Sequence, residues 1–67
     1  MPTSGPTLRR ERRSKEVTTV ALAARMGISR ATLYTLERSA VVSAERAMEY
    51  RAAVKALSDA NESGAAA

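Results

Sequence analysis

The sequence predicts a small all-α bundle of four helices, five if the last one divides, and three observations carry that prediction. The chain has no Cys, His, Phe or Trp, so its core must come from Leu, Val, Ile, Met, Ala and two Tyr, in a background rich in Ala, Arg and Glu, which favour helix. Residues suited to start or stop a helix punctuate it at Thr18, Gly27, Ser29 and Ser43. Between them, apolar residues recur at helical spacing. The 67 residues amount to one small domain, near the lower limit at which a core alone supports folding, with no internal repeat.

The opening stretch MPTSGPT (residues 1–7) reads as a loose arm, and residues 8–58 as the folded domain. LRRERRSKE follows as a first helix with Thr7 as its cap. Leu8 is its only large apolar residue, so any further core contact needs arginine stems or a buried ion pair. Thr18 caps a second helix that turns Leu22, Ala23 and Met26 inward, with Val20 nearby. An interior glycine costs about 1 kcal/mol against alanine, so Gly27 is read as a stop, free to take the left-handed conformation. Ile28 lies in the turn and packs beneath both helices, and Ser29 caps a third helix by accepting from the N–H of Ala31 or Thr32.

The third helix ends at Arg38 or Ser39. At 100° per residue Leu33 and Leu36 share its inner face, with Thr32 flanking and Glu37 toward the core. Ala31, Tyr34, Thr35 and Arg38 face outward, with Arg30 in the exposed first turn. A face that needed only solubility would carry Glu and Lys; mixed donors and small groups suit base edges. SAVV (residues 39–42) is an extended connector whose valines plug the core. Ser43 caps the last helix, Glu45 suits its positive end, and Ala47, Tyr50, Val54 and Leu57 form its buried stripe beside Ala53. The pattern runs to Leu57–Ala60, and residues 59–67 read as a disordered tail.

The net charge of +4 is unevenly placed. Residues 1–17 hold five cations against two carboxylates, residues 18–40 three against one, and residues 41–67 three against four. A basic first half fits a polyanionic partner or a solvated surface. The longest apolar run, VALAA (residues 20–24), is too short for a signal or a membrane span, so a cytoplasmic protein is expected. With no His, no Cys, no phosphate loop and scattered carboxylates, no enzyme, cofactor, metal or small-molecule ligand is expected.

Two helices joined at Gly27, the second short and polar outside, match the helix-turn-helix layout. The stretch TTVALAARMGISRATLYTLER resembles the helix-turn-helix of the phage repressor and Cro class (XRE-type) of regulators, through Leu22–Ala23, Gly27–Ile28–Ser29, Leu33, Leu36 and Glu37–Arg38. The resemblance spans roughly Leu8 to Leu57 and implies a lambda-repressor-like fold and a small Cro-like regulator, phage-encoded or of other origin, in the host cytoplasm or nucleoid.

The resemblance places the helix after Ser29 in the DNA major groove, with Arg30, Ala31 and Thr35 at base-reading positions and Tyr34 and Thr32 adjoining them. For Tyr34, packing along its helix or a phosphate contact stands beside base reading. Thr19, Ser29 and Arg38 fall at phosphate-contacting positions. Arg9, Arg10 and Arg13 face the DNA backbone, with Arg10 and Arg13 at phosphates, or are simply solvated, and Arg12 and Glu37 occupy the positions of an internal ion pair. Arg30 could grip a guanine, or instead a phosphate; Ala31 could offer its methyl to thymine. One recognition helix reads too short a word, so a homodimer on DNA is expected, monomeric in dilute solution, with Met48 either at its interface or at the core edge.

Three departures from the family pattern stand out. Glu16 occupies a position usually held by Gly, Glu11 one usually apolar, and the last helix reads as one segment where the family has two short ones. With no effector domain in the sequence, repression by operator occupancy is the expected activity. A protein-interaction adapter, antitoxin-like or sigma-factor-like, is the alternative.

Overall fold

A computed structural model describes residues 3–66, with side chains for residues 3–61. It is all-helical, with α1 (Gly5–Ser14), α2 (Thr19–Met26), α3 (Arg30–Arg38) and α4 (Ala44–Ala66) in chain order. Among the described residues no helix is long and apolar enough to cross a membrane.

The first helix starts earlier than the loose arm expected for residues 1–7 allows. Ser4, not Thr7, is its cap: the Ser4 hydroxyl accepts from the Thr7 N–H at 3.3 Å and bonds the Thr7 hydroxyl at 2.8 Å. Pro6 sits in the first turn, where a helix has no use for its missing N–H. The preceding residues are stitched to the α3–α4 connector. The Thr3 carbonyl accepts from Val42 N–H at 2.6 Å, and Gly5 N–H donates to the Ser39 carbonyl at 2.8 Å. Gly5 is buried there, where a Cβ would come within 2.7 Å of the Glu37 carbonyl carbon and oxygen. The glycine is therefore a close-approach residue between α1 and the end of α3. Met1 and Pro2 lie outside the described residues.

α1 and α2 end with the same hydrogen-bond pattern. At α2, Ile28 N–H reaches back to the Ala23 carbonyl at 3.0 Å and Gly27 N–H to the Ala24 carbonyl at 3.2 Å, around a left-handed Gly27 (φ 71). At α1, Val17 N–H reaches the Arg12 carbonyl at 3.3 Å and Glu16 N–H the Arg13 carbonyl at 3.1 Å, around a left-handed Glu16 (φ 58). Both are Schellman motifs. Glu16 takes the left-handed conformation that a glycine adopts most easily. The other starts are Thr18 accepting from Ala21 N–H, Ser29 from Thr32 N–H and Ser43 from Arg46 N–H.

Leu8, Val17, Leu22, Ala23, Leu33, Val42, Ala47, Tyr50, Ala53 and Val54 form the core, with Met26, Ile28, Leu36 and Leu57 packed against it. α2 packs on α4 and α1 on α3, while α1–α4 and α2–α3 contacts close the bundle. Two valines are outside it, Val41, expected to plug the core, and Val20. Val41 is 67% exposed while Val42 is buried, because successive residues of an extended connector point to opposite sides. Val20 is exposed because it lies 200° around α2 from Leu22. α4 runs through residues 58–66 rather than giving way to a tail from residue 59. No Pro interrupts it, and Lys55 pairs with Asp59 one turn on at 3.2 Å. It is one continuous helix, so the bundle has four.

Candidate functional site

The polar centre of the molecule is the Glu37 carboxylate, turned inward from α3. Arg12 on α1 binds it through both ends of its guanidinium, Nε to Oε2 at 2.7 Å and Nη2 to Oε1 at 3.3 Å. The Tyr50 hydroxyl of α4 donates to the same Oε2 at 2.5 Å, and Arg12 Nη1 donates to the Val17 carbonyl at 2.8 Å. The pair is buried, at 10% and 4% side-chain exposure. Burial works against the Arg12 cation, but the hydrogen bonds and charge of Glu37 outweigh it and raise the guanidinium pKa. Burial pushes the Tyr50 phenol well above its ordinary value, and its bond to Glu37 pushes the same way. Among the described residues no buried side-chain polar atom lacks a partner.

The Tyr50 and Val17 contributions were not read from the sequence. A signal existed for Tyr50: a tyrosine on an apolar stripe usually finds its hydroxyl a partner. Which partner depends on the tertiary arrangement.

This network seats α3 against α1 and leaves an open groove of about 1120 Å³ between them. Arg9, Arg10 and Arg13 line it from α1, Tyr34 and Arg38 from α3, and Thr19 from the start of α2. Arg10, Arg13, Thr19 and Arg38, assigned separately to phosphate contacts, thus share one groove with Tyr34. Ser29 is not among its lining residues, and its hydroxyl is engaged in capping α3 and in a 2.9 Å bond with the Thr32 hydroxyl.

Arg30, Ala31 and Thr35 are exposed on the outer side of α3, away from the groove lining. The Thr35 hydroxyl donates to the Ala31 carbonyl at 3.1 Å, so it offers neighbours its oxygen lone pairs and methyl instead of a proton. Tyr34, 61% exposed, is engaged with Arg38: the Arg38 Nη1 donates to the phenol oxygen at 3.2 Å, and its guanidinium carbon lies 5.1 Å from the ring centroid.

Ion pairing sorts the charges further. Of eleven cationic side chains, Arg12, Arg46, Arg51 and Lys55 pair with Glu37, Glu49, Glu11 and Asp59. Among the described residues the other seven cations are unpaired, and all lie at or before Arg38. Five of them, Arg9, Arg10, Arg13, Arg30 and Arg38, stand on α1 and α3, whose carboxylates Glu11 and Glu37 are both taken up in pairs. Met48 is 71% exposed on α4. None of the family models, curated proteins or solved structures compared with the chain matches it.

Proposed function

We propose that the chain is a sequence-specific double-stranded-DNA-binding transcriptional regulator, a Cro-like repressor that occupies its operator with α3 in the major groove. The observation that carries this reading is the set of unpaired cations on α1 and α3 beside a helix face free of carboxylate. A duplex offers one negative charge per about 1.7 Å of its axis, a match for such a face. In this reading α2, the Gly27 turn and α3 act as a helix-turn-helix. Arg30 donates to base-edge acceptors, Ala31 and Thr35 contribute methyl and acceptor groups, and Thr19, Arg10, Arg13 and Arg38 grip phosphates. Two copies bind half-sites about 10 base pairs apart, a spacing that places both readers on one side of the duplex.

Selection of binding sites from random duplex DNA tests the proposal directly. A repeated, two-fold-related word whose retention falls steeply with salt is expected, and Arg30→Ala with Thr35→Ala should change the word. No retardation at low salt would sink the proposal and favour the adapter alternative, in which exposed Met48 and Val41 meet a protein. A single unrepeated half-site would remove the dimer.

A further inference from the structure

The groove between α1 and α3 and the Tyr34–Arg38 contact at its edge suggest how one residue of the reading helix is used. We infer that this groove seats a stretch of phosphodiester backbone gripped from both walls, and that Tyr34 serves it by holding Arg38 in position instead of reading a base. The inference rests on the DNA-binding proposal above.

The geometry supports it in three ways. Arg38 has no carboxylate partner among the described residues, yet its guanidinium is held at two points, by the phenol oxygen at 3.2 Å and by the ring face at 5.1 Å. A long side chain held by an aromatic neighbour loses less freedom when it meets an anion. The opposite wall carries Arg10 and Arg13, one helical turn apart on α1, so an anion in the groove meets cations from two helices. The phenol oxygen, finally, already accepts from Arg38, so accepting from a base donor would compete with that bond, and only the O–H is left free. Tyr34 is thus a positioning residue, and its effect on DNA runs through Arg38.

A double-mutant cycle on full-length protein tests this, using Tyr34→Ala, Arg38→Ala and the pair, with binding measured against the selected duplex and a random duplex across a salt series. Both side chains are exposed, so the fold should survive, and helical circular dichroism checks that it does. Tyr34→Ala should weaken binding to both duplexes by the same factor, about two- to fivefold for a contact of this type. Arg38→Ala should lower the slope of log affinity against log salt by about 0.9 per subunit, and adding Tyr34→Ala to it should cost nothing more. Site selection with Tyr34→Ala should return the wild-type word. A changed word, or losses that simply multiply in the double variant, would overturn the role given to Tyr34 while leaving DNA binding intact. Failure of the wild-type protein to bind any duplex would instead overturn the parent proposal and this inference with it.

Discussion

The Tyr50 hydroxyl donates to Glu37 at 2.5 Å across the bundle, joining two helices whose backbones do not otherwise approach each other closely. α3 is thus tied by side-chain hydrogen bonds to α1 through Arg12 and to α4 through Tyr50, both on a single carboxylate, in addition to its packing on α1 and α2.

Replacing Tyr50 with Phe should cost about 2 kcal/mol, the range for a hydrogen bond to a charged acceptor. It should also change the alkaline limb of stability. The folded-state phenol pKa is raised above its ordinary value of 10.0 by burial first and by Glu37 second. The stability it contributes is therefore fully present below pH 10 and is lost as pH rises beyond it. Urea denaturation from pH 9 to 11.5 should show a decline in the wild type that is shallower in Tyr50→Phe. Identical slopes would contradict the assignment.

Removing one side of the buried pair should be far more damaging. A domain of 67 residues has a total stability of about 3–10 kcal/mol. Glu37→Ala leaves the Arg12 cation buried without its partner, at a cost of about 3–5 kcal/mol. The variant should lose at least about a third of that stability and melt well below the wild type by circular dichroism. Arg12→Met with Glu37→Leu should recover part of the loss, though not all, because the Val17 carbonyl and the Tyr50 hydroxyl also lose their partners. A double variant no better than Glu37→Ala would show that the network does more than satisfy its own charges.

Three substitutions at turns separate backbone conformation from packing. Gly27→Ala meets no neighbouring atom and is opposed only by its positive φ, so about 1 kcal/mol should be lost. Gly5→Ala should cost more, because its Cβ would press on backbone atoms of Leu36 and Glu37 that cannot move alone. Glu16→Gly should stabilise by roughly 0.5–1 kcal/mol, since it relieves a left-handed glutamate at the cost of some unfolded-state entropy. Thermal melting of the three variants, ranked Glu16→Gly, Gly27→Ala, Gly5→Ala from most to least stable, is the check.

On the acid side, the hydrogen bond from Arg51 holds the Glu11 carboxyl below its ordinary value against an opposing effect of burial. The stability this contributes is present above the ordinary carboxylate range and is lost as pH falls through the depressed folded-state value. Because the pair is solvent-exposed, the effect should be small and should shrink with salt. Melting temperature between pH 5 and 2.5 should fall less in Glu11→Gln than in the wild type at low ionic strength, and the difference should close at high salt.

Much of the fold was legible because its signals are local. Thr18, Gly27 and Ser29 reveal themselves through hydrogen bonds made within a few residues, and Leu22, Ala23, Leu33 and Tyr50 through their spacing. What stayed hidden was set elsewhere in the chain. Gly5 looked like part of a loose arm because the reason for its missing side chain lies at Leu36 and Glu37. Val41 and Val42 are indistinguishable by composition, and only the direction of the connector separates them. At the candidate site the residue types were readable, but the groove shared by Arg10, Arg13, Thr19, Tyr34 and Arg38 exists only once α1 lies against α3.

The matching corners after α1 and α2 bear on how quickly the chain reaches its native state. Each is completed by hydrogen bonds spanning no more than six residues, so neighbouring helices can be aimed at one another before any distant segment arrives. Helical proteins dominated by such nearby contacts fold in microseconds to milliseconds. The slow-forming part should be the long-range closure, in which Thr3 and Gly5 meet Val42 and Ser39 and α4 packs back on α1 and α2, because these contacts join segments far apart in the chain.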